Sequence, residues 1–570
     1  MSTPRPVPGL LNLAPYDPGR LSTPCDLHLD GNECDLSEGE GSASTGATRE
    51  ILYRYPDLSF FERQIAESHQ VEPEQVLLTA GADDGLYRAC RTVLMPGRSF
   101  IFPSPSFGML RRYAEVSGAT VVRVPWTSDE YPIDEVIASI DETTAAIAVV
   151  SPNNPTGAVA VAEDLQRLST AAPGALLLVD LAYAEFAEED LTPVARDLDN
   201  ALIFRTFSKA WGLAGLRVGY VFGPPRVIRW MRSLGQPYAV SGLSASIACE
   251  RWKRDRARVE SFARRVRLER RELAEMLASC GARPQPSQAN FILARFDDAA
   301  FVREGLAGLG IAVRAFAGDD EVEDALRITC PGRADAFARL LAAIETTMRP
   351  KALLFDLDGV LADVSHSYRE AIVLTARFFG VEVSAEEVAR IKRAGGANDD
   401  WEVTHRLIAA HCDVSYAEVR RRFETFYQGD ATQPGLRQRE TLIPDRAVLE
   451  HLSRKVRLAL VTGRPRSDAL HFIRHFDLDG LFEVAVTRDE SVALKPDPAP
   501  VLLALDKLGT RSAWMVGDTP DDMRAARAAR TLPLGIVSPG EDLARTGDAL
   551  LRAGAGRVLG SLDEILEILP

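Results

Sequence analysis

Short apolar segments recur along the chain, and longer stretches with helical character separate them. The segments lie at 145–150, 176–179, 202–204, 352–355, 458–461 and 513–516. Brief apolar segments that alternate with helical stretches are typical of strands buried between layers of helices. The pattern therefore predicts an α/β protein whose sheets are mostly parallel.

One discontinuity divides this pattern. A helical stretch over 334–347 stops at Arg349-Pro350, and a new apolar segment begins directly after it. Proline disfavours helix in the residue before it, so the two elements belong to different domains. The 570 residues are enough for about two to four domains. We predict a first domain over 1–349 and a second domain over 350–570.

Composition and charge exclude several classes of protein. The net charge of −15 argues against nucleic acid as a partner, and the seven cysteines show no CxxC pair and no zinc-binding spacing. No apolar run reaches the ~18 residues of a membrane span, and the start of the chain lacks the apolar core of a secretory signal. We expect a soluble cytoplasmic protein with small-molecule partners and no membrane contact.

The segment TFSKAWGLAGLRVGY, at 206–220, carries the first candidate chemistry. A lysine such as Lys209 can bond covalently to a carbonyl cofactor such as pyridoxal phosphate. That cofactor also needs an anion cup and a carboxylate under its ring nitrogen. Thr206 and Ser208 offer hydroxyl groups for the cup, and Arg217 offers a bidentate guanidinium.

The remaining parts of such a site stand upstream. Asp180 ends the apolar segment LLLVD, at the place where open α/β sheets bind ligands, and Tyr183 follows it. A buried carboxylate there would keep a pyridine ring protonated, and Tyr183 could hydrogen-bond the ring hydroxyl. SPNNPTG places Asn154 on the same edge, and TAGADDGL at 79–86 reads as a strand, a glycine turn and a helix start whose amides bind phosphate.

Together these segments resemble the fold-type I, pyridoxal-phosphate-dependent aminotransferases, and among them most closely the histidinol-phosphate aminotransferases. The resemblance spans residues 25–345 or so, and further motifs occur in family order: GNE at 31–33, RYPD at 54–57, PSPSFGM at 103–109, VDLAYAEF at 179–186, SQANFIL at 287–293, GIAVR at 310–314 and LRIT at 326–329. Each motif alone is usually structural, whereas their joint order favours the functional interpretation.

The resemblance implies a role for each matching residue. Lys209 would bond the cofactor and shuttle the proton, and Asp180 would pair with the ring nitrogen. Asn154 and Tyr183 would hold the ring oxygen, and Phe107 would stack on the ring. The phosphate cup would consist of Ala82, Asp83, Thr206, Ser208 and Arg217, with Tyr55 reaching in from the other subunit of a homodimer.

The same resemblance assigns the substrate to two arginines. Arg327, with Arg314 nearby, would hold the distal anion of the substrate, which in this family can be a phosphate. A structural ion pair at these arginines stays an alternative. The chain departs from the family at Phe107, where tyrosine is usual, and at Leu181, where glutamate is usual. Both departures leave the exact substrate open.

A second set of acidic residues follows the later apolar segments. The segment at 352–355 runs into DLDGV, and WMVGDTPDD at 514–522 again ends in acids. Two carboxylates such as Asp356 and Asp358 can act as nucleophile and general acid only when a divalent cation neutralises them. Thr462 and Lys495 stand at another segment end and before a turn, and both could hold a transferring phosphoryl group.

This order of motifs resembles the haloacid dehalogenase superfamily of phosphohydrolases over 351–570. The resemblance implies that Asp356 attacks phosphorus, that Asp358 is the general acid and base, and that Thr462 and Lys495 stabilise the phosphoryl group. Mg²⁺ would be held by Asp356, Asp518 and the backbone carbonyl of Asp358, with Asp522 in support and Asp521 as the alternative.

The separation of Asp358 from Thr462 is too long for one strand-helix-strand crossover, and its content favours helices. We therefore predict a Rossmann-like core over 350–362 and 441–570, with an α-helical cap inserted over about 363–440 that selects the substrate. The segment IKRAGGANDDW at 391–401 is either a specificity loop of this cap or a plain turn between helices.

The two chemistries fit consecutive steps of histidine biosynthesis. We expect a bifunctional enzyme that transaminates between L-histidinol phosphate and imidazole-acetol phosphate, with glutamate and 2-oxoglutarate as the second pair. Its other half would hydrolyse histidinol phosphate to histidinol with Mg²⁺. Several alternatives stay open: another phosphorylated amine, a phosphothreonine-type decarboxylase, a mutase, or a noncatalytic second domain that binds a phosphorylated metabolite. A homodimer would form through the first domain.

Overall fold

The computed structural model describes residues 21–33, 49–316, 318, 321–397, 399–430 and 433–569. The chain forms two compact units. Among the described residues, the first unit takes those of 29–297 and 314–337, and the second takes those of 21–28, 298–313 and 338–569. Because the second unit includes two segments from well before residue 349, the boundary after that residue stays a prediction about the two sequence domains.

All six apolar segments of the sequence pattern lie in strands. The strands are β1 (Leu27–His28), β2 (Val76–Thr79), β3 (Ser99–Ser104), β4 (Thr120–Pro125), β5 (Thr144–Val150), β6 (Leu176–Asp180), β7 (Ala201–Thr206), β8 (Gly219–Phe222), β9 (Arg283–Pro284), β10 (Phe291–Arg295), β11 (Ile311–Ala312), β12 (Arg314–Ala315), β13 (Ala325–Thr329), β14 (Ala352–Phe355), β15 (Ala362–Asp363), β16 (Thr441–Leu442), β17 (Arg457–Val461), β18 (Phe482–Val486), β19 (Ala513–Gly517), β20 (Leu532–Ile536) and β21 (Arg557–Leu559).

Helices occupy most of the stretches between the strands. They are α1 (Ser59–His69), α2 (Gly81–Val93), α3 (Gly108–Val116), α4 (Ile133–Ala138), α5 (Ala162–Ala171), α6 (Thr192–Arg196), α7 (Pro225–Leu234), α8 (Gly242–Arg254), α9 (Arg256–Ser279), α10 (Ala299–Gly308), α11 (Ala334–Met348), α12 (Tyr368–Phe378), α13 (Ala385–Ala394), α14 (Asp400–Ala409), α15 (Tyr416–Gln428), α16 (Arg446–Lys455), α17 (Arg466–His475), α18 (Ala499–Leu508), α19 (Pro520–Ala528), α20 (Leu543–Ala553) and α21 (Glu564–Ile568). Among the described residues, no helix has both the length and the apolar character that crossing a bilayer requires.

The main sheet of the first unit contains seven described strands in the order β2-β8-β7-β6-β5-β3-β4. Strands β3 to β7 pair in parallel, and β8 runs antiparallel to both of its neighbours. Strands β5 to β7 are buried, and the apolar side of α2 contributes to the core that covers them. The prediction of a mixed, mostly parallel sheet is confirmed.

A smaller antiparallel sheet of the same unit has the order β12-β13-β10-β9. Its register places Arg314 of β12 directly opposite Arg327 of β13. Residues opposite each other on neighbouring strands lie on the same face of a sheet. The two arginines that the sequence assigns to the substrate therefore share one face.

The second unit is built on a parallel sheet of six described strands, in the order β18-β17-β14-β19-β20-β21. Phe355 at the end of β14 lies opposite Leu460 of β17 and Val516 of β19. The carboxyl ends of these strands therefore meet at one edge. Within this unit α10 packs against β20 and β21, and the indole N–H of Trp514 donates to the carbonyl of Thr346 in α11 at 2.7 Å.

Four helices of the described chain, α12 to α15, are inserted between β15 and β16. These two strands pair with each other, so the chain leaves and re-enters the core at one place. Helices α13 and α15 each begin at a capping box, Ser384 with Glu387 and Ser415 with Glu418. This S-x-x-E pattern satisfies amides that the helix itself leaves unpaired. The prediction of an inserted α-helical cap is confirmed. Its bounds of about 363–440 stay a prediction.

Candidate active sites

The first candidate site lies at the carboxyl edge of the main sheet of the first unit. Asp180 is the last residue of β6, and it lies opposite Val150 of β5 and Phe204 of β7. The segment that follows β5 carries Asn154, and Thr206 ends β7. Because parallel strands end at a common edge, the structure brings these predicted residues to one place.

Asp180 is a buried carboxylate, 4% exposed. The pKa of this carboxyl is raised to about 7, mainly by burial and in smaller part by the charge of Asp83, while the hydrogen bond from Ala182 and the charge of Lys209 oppose the increase. The backbone N–H of Ala182 donates to Oδ1 of Asp180 at 3.1 Å. A cation placed against the carboxylate would restore its charged form, and a protonated ring nitrogen is such a cation.

Lys209 and Tyr183 lie beside each other. The amine Nζ of Lys209 donates to the carbonyl of Gly31 at 3.0 Å and lies 5.6 Å from the centre of the Tyr183 ring. The Tyr183 hydroxyl accepts a hydrogen bond from Nδ2 of Asn32 at 2.9 Å. The sequence interpretation gave no role to Asn32, although it stands in the quoted GNE motif. Asn32 fixes the hydroxyl that the resemblance assigns to the ring oxygen.

Arg217 contacts two other residues that are predicted for the phosphate cup, Ser208 and Asp83. This arginine donates from Nη1 to Oγ of Ser208 at 3.2 Å and from Nη2 to Oδ2 of Asp83 at 3.3 Å. Gly81, at the start of α2, has a φ of +79°, and a Cβ there would lie 2.6 Å from Nη2 of Arg217. The positive φ favours glycine at this position, and any side chain there would displace the guanidinium. The first amides of α2, including those of Ala82 and Asp83, follow directly after Gly81.

This donor set fits pyridoxal phosphate. Hydroxyl, guanidinium and helix-start amides suit the phosphate at one end, and a buried carboxylate suits the ring nitrogen at the other. The Asp83 side chain is acidic, so its contribution to such a cup would come from its backbone N–H. Its carboxyl, whose pKa burial raises, pairs with Arg217 instead.

A cleft of about 600 Å³ in the first unit is lined by Phe107, Asn154, Arg314 and Arg327. Arg327 is 7% exposed. It donates from Nη1 to Oδ1 of Asn154 at 2.5 Å and from Nη2 to the carbonyl of Asp30 at 2.7 Å. The structure thus joins the residue predicted for substrate to one predicted for cofactor. Glu321 and Arg123 line the same cleft as an ion pair at 2.9 Å, which the sequence interpretation missed.

Tyr55 lies at the surface of the first unit and is 80% exposed. Its ring stacks on that of Tyr238, with centroids 4.4 Å apart and an interplanar angle of 17°. An aromatic pair in water is available for contact with another chain. The role of Tyr55 in a partner's site stays a prediction.

The second candidate site lies at the carboxyl edge of the six-stranded sheet. Carboxylate oxygens of Asp356, Asp518 and Asp522 lie within 4.8 Å of one another. Nζ of Lys495 lies 2.8 Å from Oδ1 of Asp356 and 2.6 Å from Oδ1 of Asp522. A Cβ at Gly517 would lie 2.3 Å from Cβ of Asp522, so a side chain at that position would disrupt the cluster.

Burial dominates the electrostatics of these acids. The pKa of Asp518 is raised to about 7, mainly by burial and then by the charge of Asp522, while the Ser538 hydroxyl opposes the increase by donating to Oδ2 at 2.5 Å. Burial also raises the pKa of Asp356, against the lowering effect of Lys495. A compact set of oxygen donors with excess negative charge fits a hard divalent cation such as Mg²⁺. The contribution predicted for the Asp358 carbonyl stays a prediction.

Asp521, the alternative to Asp522, points elsewhere. Its carboxylate accepts from the backbone N–H of Gly396 at 2.9 Å and of Ala397 at 3.1 Å, which belong to the segment IKRAGGANDDW of the cap. The cluster therefore contains Asp522, and Asp521 anchors the cap segment to the core. These two hydrogen bonds hold the segment, which connects α13 to α14, against the core. The role of this segment in substrate specificity stays a prediction.

Two buried basic residues near this site have no counterpart among the predicted residues. Lys392 of α13 pairs with Asp400 at 2.6 Å, and the charges of Asp400, Asp358 and Asp518 raise its pKa. Arg464 contacts the side chain of Asp358, at 2.6 Å from Nε to Oδ1, and its backbone N–H donates to Oγ1 of Thr462 at 3.2 Å. Lys392 stands in the segment IKRAGGANDDW that the sequence interpretation quoted, and Arg464 stands two positions after the predicted Thr462.

Comparison with known proteins matches both parts of the chain. Residues 37–344 match the family described as aminotransferase class I and II, and residues 350–530 match the haloacid dehalogenase-like hydrolases. A histidinol-phosphate aminotransferase of Dinoroseobacter shibae is 33% identical over 352 residues, which cover 60% of this chain and 96% of that relative.

Two further matches complete the comparison. An imidazoleglycerol-phosphate dehydratase of Phytophthora nicotianae is 40% identical over 238 residues, 39% of this chain, and the chain spans about half, 52%, of that relative. The crystal structure of histidinol-phosphate aminotransferase from Sinorhizobium meliloti in complex with pyridoxal-5'-phosphate has a TM-score of 0.52 at 21% identity, and the match covers 61% of this chain and 98% of that one. This second likeness supports the fold alone.

The replacement Asp180→Asn tests the cost of the buried carboxylate in the cofactor-free protein. The folded-state pKa of about 7 lies above the ordinary value of 3.8, so between these values the folded protein binds more protons than the unfolded chain. The contribution of Asp180 to the free energy of unfolding is fully present below the unfolded-state pKa of 3.8, and it is lost as the pH rises through the folded-state pKa of about 7. Relative to Asp180→Asn, the wild type should lose at most about 4 kcal/mol of unfolding free energy between about pH 4 and pH 7.

Urea denaturation of both cofactor-free proteins at several pH values in this range measures the effect. Saturating pyridoxal phosphate serves as the control, since a bound cation should reduce the difference between the two proteins. Parallel pH profiles for wild type and variant would contradict the assignment of an unpaired buried carboxylate.

Proposed function

We propose that this chain performs two consecutive reactions of histidine biosynthesis. The chain belongs to the aminotransferase class I and II family and carries a haloacid dehalogenase-like hydrolase domain. The first reaction is transamination between L-histidinol phosphate and imidazole-acetol phosphate, with glutamate and 2-oxoglutarate as the second pair. The second is hydrolysis of histidinol phosphate to histidinol. The 33% identity over 96% of a histidinol-phosphate aminotransferase carries this choice of substrate.

Pyridoxal phosphate is the cofactor proposed for the first site, where it would supply an electron sink for bonds at the substrate's amine carbon. Arg217, Ser208, Thr206 and the first amides of α2 would hold its phosphate. Asp180 would hold the proton on the ring nitrogen, and Phe107 would pack against the ring. Asn154 and Tyr183 would hold the ring oxygen.

Lys209 carries the proton transfer in this proposal. Its Nζ lies 5.6 Å from the centre of the Tyr183 ring and would accept or return the proton of the substrate carbon. Arg314 and Arg327 share one face of the small sheet and would bind the phosphate of the substrate through charge-assisted hydrogen bonds. The cleft that they line supports a substrate with an anion at its far end.

At the second site, Asp356, Asp518 and Asp522 would hold Mg²⁺, which would neutralise charge around the phosphate. Asp356 attacks phosphorus, and Asp358 gives a proton to the leaving oxygen. Water then attacks the phosphorus, and Asp358 takes its proton. Thr462 and Lys495 hold the phosphoryl oxygens during both transfers, and Lys495 already contacts the nucleophile.

L-Histidinol phosphate should convert the cofactor of the reconstituted protein to its amine form when Mg²⁺ is withheld. The absorbance change of the cofactor measures this half-reaction. Lys209→Ala should abolish it, because it removes the amine proposed to move the proton, while Asp356→Asn should leave it unchanged. If the wild type shows no absorbance change with this amine, the histidine pathway is the wrong assignment.

Inorganic phosphate should be released from L-histidinol phosphate when Mg²⁺ is added, and chelation should stop the release. Asp356→Asn should reduce the rate by at least about 10⁴-fold, since it removes the nucleophile. Lys209→Ala is the matched control and should retain full phosphate release. If the Asp356→Asn variant releases phosphate as fast as the wild type, the second unit is not a phosphohydrolase of this type.

We also propose that the chain forms a homodimer in which Tyr55 enters the partner's phosphate cup. Leu52, Tyr53, Tyr55 and Tyr238 are more than half exposed in the single chain, which is an unusual concentration of apolar surface. A symmetric dimer would bury these side chains.

Mixing two inactive variants tests this dimer. Lys209→Ala and Tyr55→Arg should each have little transaminase activity alone. After unfolding and refolding together, half of the dimers should be mixed and each should contain one intact site, so about a quarter of the sites should recover. The same mixture without refolding is the control. Absence of recovery, with each variant able to refold separately, would place Tyr55 outside the partner's site.

A further inference from the structure

Arg464 lies between Asp358 and the crossing from core to cap, and none of the catalytic roles above uses it. Its side chain is 1% exposed. Its Nε and Nη2 lie 2.6 and 2.5 Å from Oδ1 of Asp358. Nη1 lies 3.0 Å from Oε2 of Glu440, and Nη2 lies 3.1 Å from Oε1 of the same residue. One rigid guanidinium therefore joins the partly exposed general acid to the buried carboxylate of Glu440.

Glu440 connects this pair to the place where the cap joins the core. It directly precedes β16, the strand on which the chain returns from the cap. Its Oε1 accepts from the hydroxyl of Ser367, just before α12, at 2.9 Å, and from that of Tyr427, near the end of α15, at 3.2 Å. Glu440 thus links the first and last helices of the cap to the strand on which the chain returns to the core.

The guanidinium restricts Asp358 on more than one side. Its Cζ lies 4.7 Å from the centre of the Tyr368 ring, so an aromatic face covers it. Both contacts to Asp358 fall on Oδ1, which leaves the orientation of Oδ2 fixed by the same bonds. A buried arginine with two carboxylate partners cannot move without losing charge-assisted bonds in a dry environment.

We propose that Arg464 is a positioning residue that orients the carboxyl group of Asp358 toward the leaving oxygen. Glu440 makes this orientation depend on the position of the cap helices, because it holds Arg464 and contacts both ends of the cap. The inference rests on the proposed phosphatase function. In the first step a bond forms between Asp356 and phosphorus, the ester P–O bond breaks, and the proton passes from Asp358 to the leaving oxygen. In the second step water attacks phosphorus, the bond to Asp356 breaks, and the proton of water passes to Asp358. Arg464 keeps its protons throughout.

The dependence of the cleavage rate on the leaving group distinguishes a role in orienting Asp358 from a purely structural role. Alcohol leaving groups need a proton from Asp358, whereas nitrophenolate does not. The double variant Arg464→Gln, Glu440→Gln removes both charges together, so that Glu440 is not left as an unpaired buried carboxylate. Asp358 loses its arginine as well, but its side chain is 30% exposed and water can solvate it. Circular dichroism and thermal unfolding of the full chain confirm that the variant folds.

In the first turnover, the double variant should cleave L-histidinol phosphate about 10²-fold more slowly than the wild type. It should cleave p-nitrophenyl phosphate within about threefold of the wild type. Later turnovers of both compounds should be slow, because Asp358 also serves as base for water. The variant should therefore release a burst of about one nitrophenolate per site. Arg464→Lys should recover part of the loss, since it restores one bond to Asp358.

Arg488→Gln is the matched control. Arg488 also joins core to cap, through Asp399 at 2.7 Å, and its recorded ion pair does not involve Asp358. This variant should change the rates of both compounds by the same factor and show no burst. Equal losses in the first turnover for the double variant would overturn the positioning role. Failure of the wild type to release phosphate from either compound would instead remove the proposed function, and the inference with it.

Discussion

Both sites depend on one constraint, which is that carboxylates buried at the ends of parallel strands must find partners. Asp180 ends β6, and Asp356 and Asp518 follow β14 and β19. A buried carboxylate without a partner costs several kcal/mol, so the surrounding residues are selected for charge as much as for shape. The parallel sheet supplies the position, because its strands end at one edge. The reaction that each site can support then depends on which cations neutralise the carboxylates at that edge.

The two sites meet the constraint differently. In the first unit, a single acid, Asp180, has its pKa raised to about 7 by burial, and the neighbouring Lys209 only partly opposes the shift. In the second unit, Lys495 bridges two acids of the cluster directly. The cationic ring of the proposed cofactor would complete the first arrangement, and the proposed Mg²⁺ would complete the second in addition to the lysine. The two sites thus differ in how much of the buried negative charge the chain itself neutralises.

The sequence could predict the strands and the residues that end them, because both follow from local pattern. It could not predict Arg464, whose partners Asp358 and Glu440 lie 106 and 24 positions away. It favoured Asp522 over Asp521 but had no means to exclude Asp521. These neighbours stand in the first turn of α19, where successive side chains point in different directions around the axis. Only the register of the helix on the sheet decides that Asp522 joins the cluster and that Asp521 meets the cap.

The contact between Asn154 and Arg327 shows how one residue can serve both cofactor and substrate. A guanidinium only donates hydrogen bonds, so the atom of Asn154 that faces Arg327 must be the carbonyl oxygen Oδ1. The amide group Nδ2 then points the other way, and it is a donor. A donor is what a phenolate-like ring oxygen requires. Arg327 therefore orients the group proposed to bind the cofactor while it lines the cleft proposed to bind the substrate. A change at Arg327 alters both, and the two specificities of the first site are not independent.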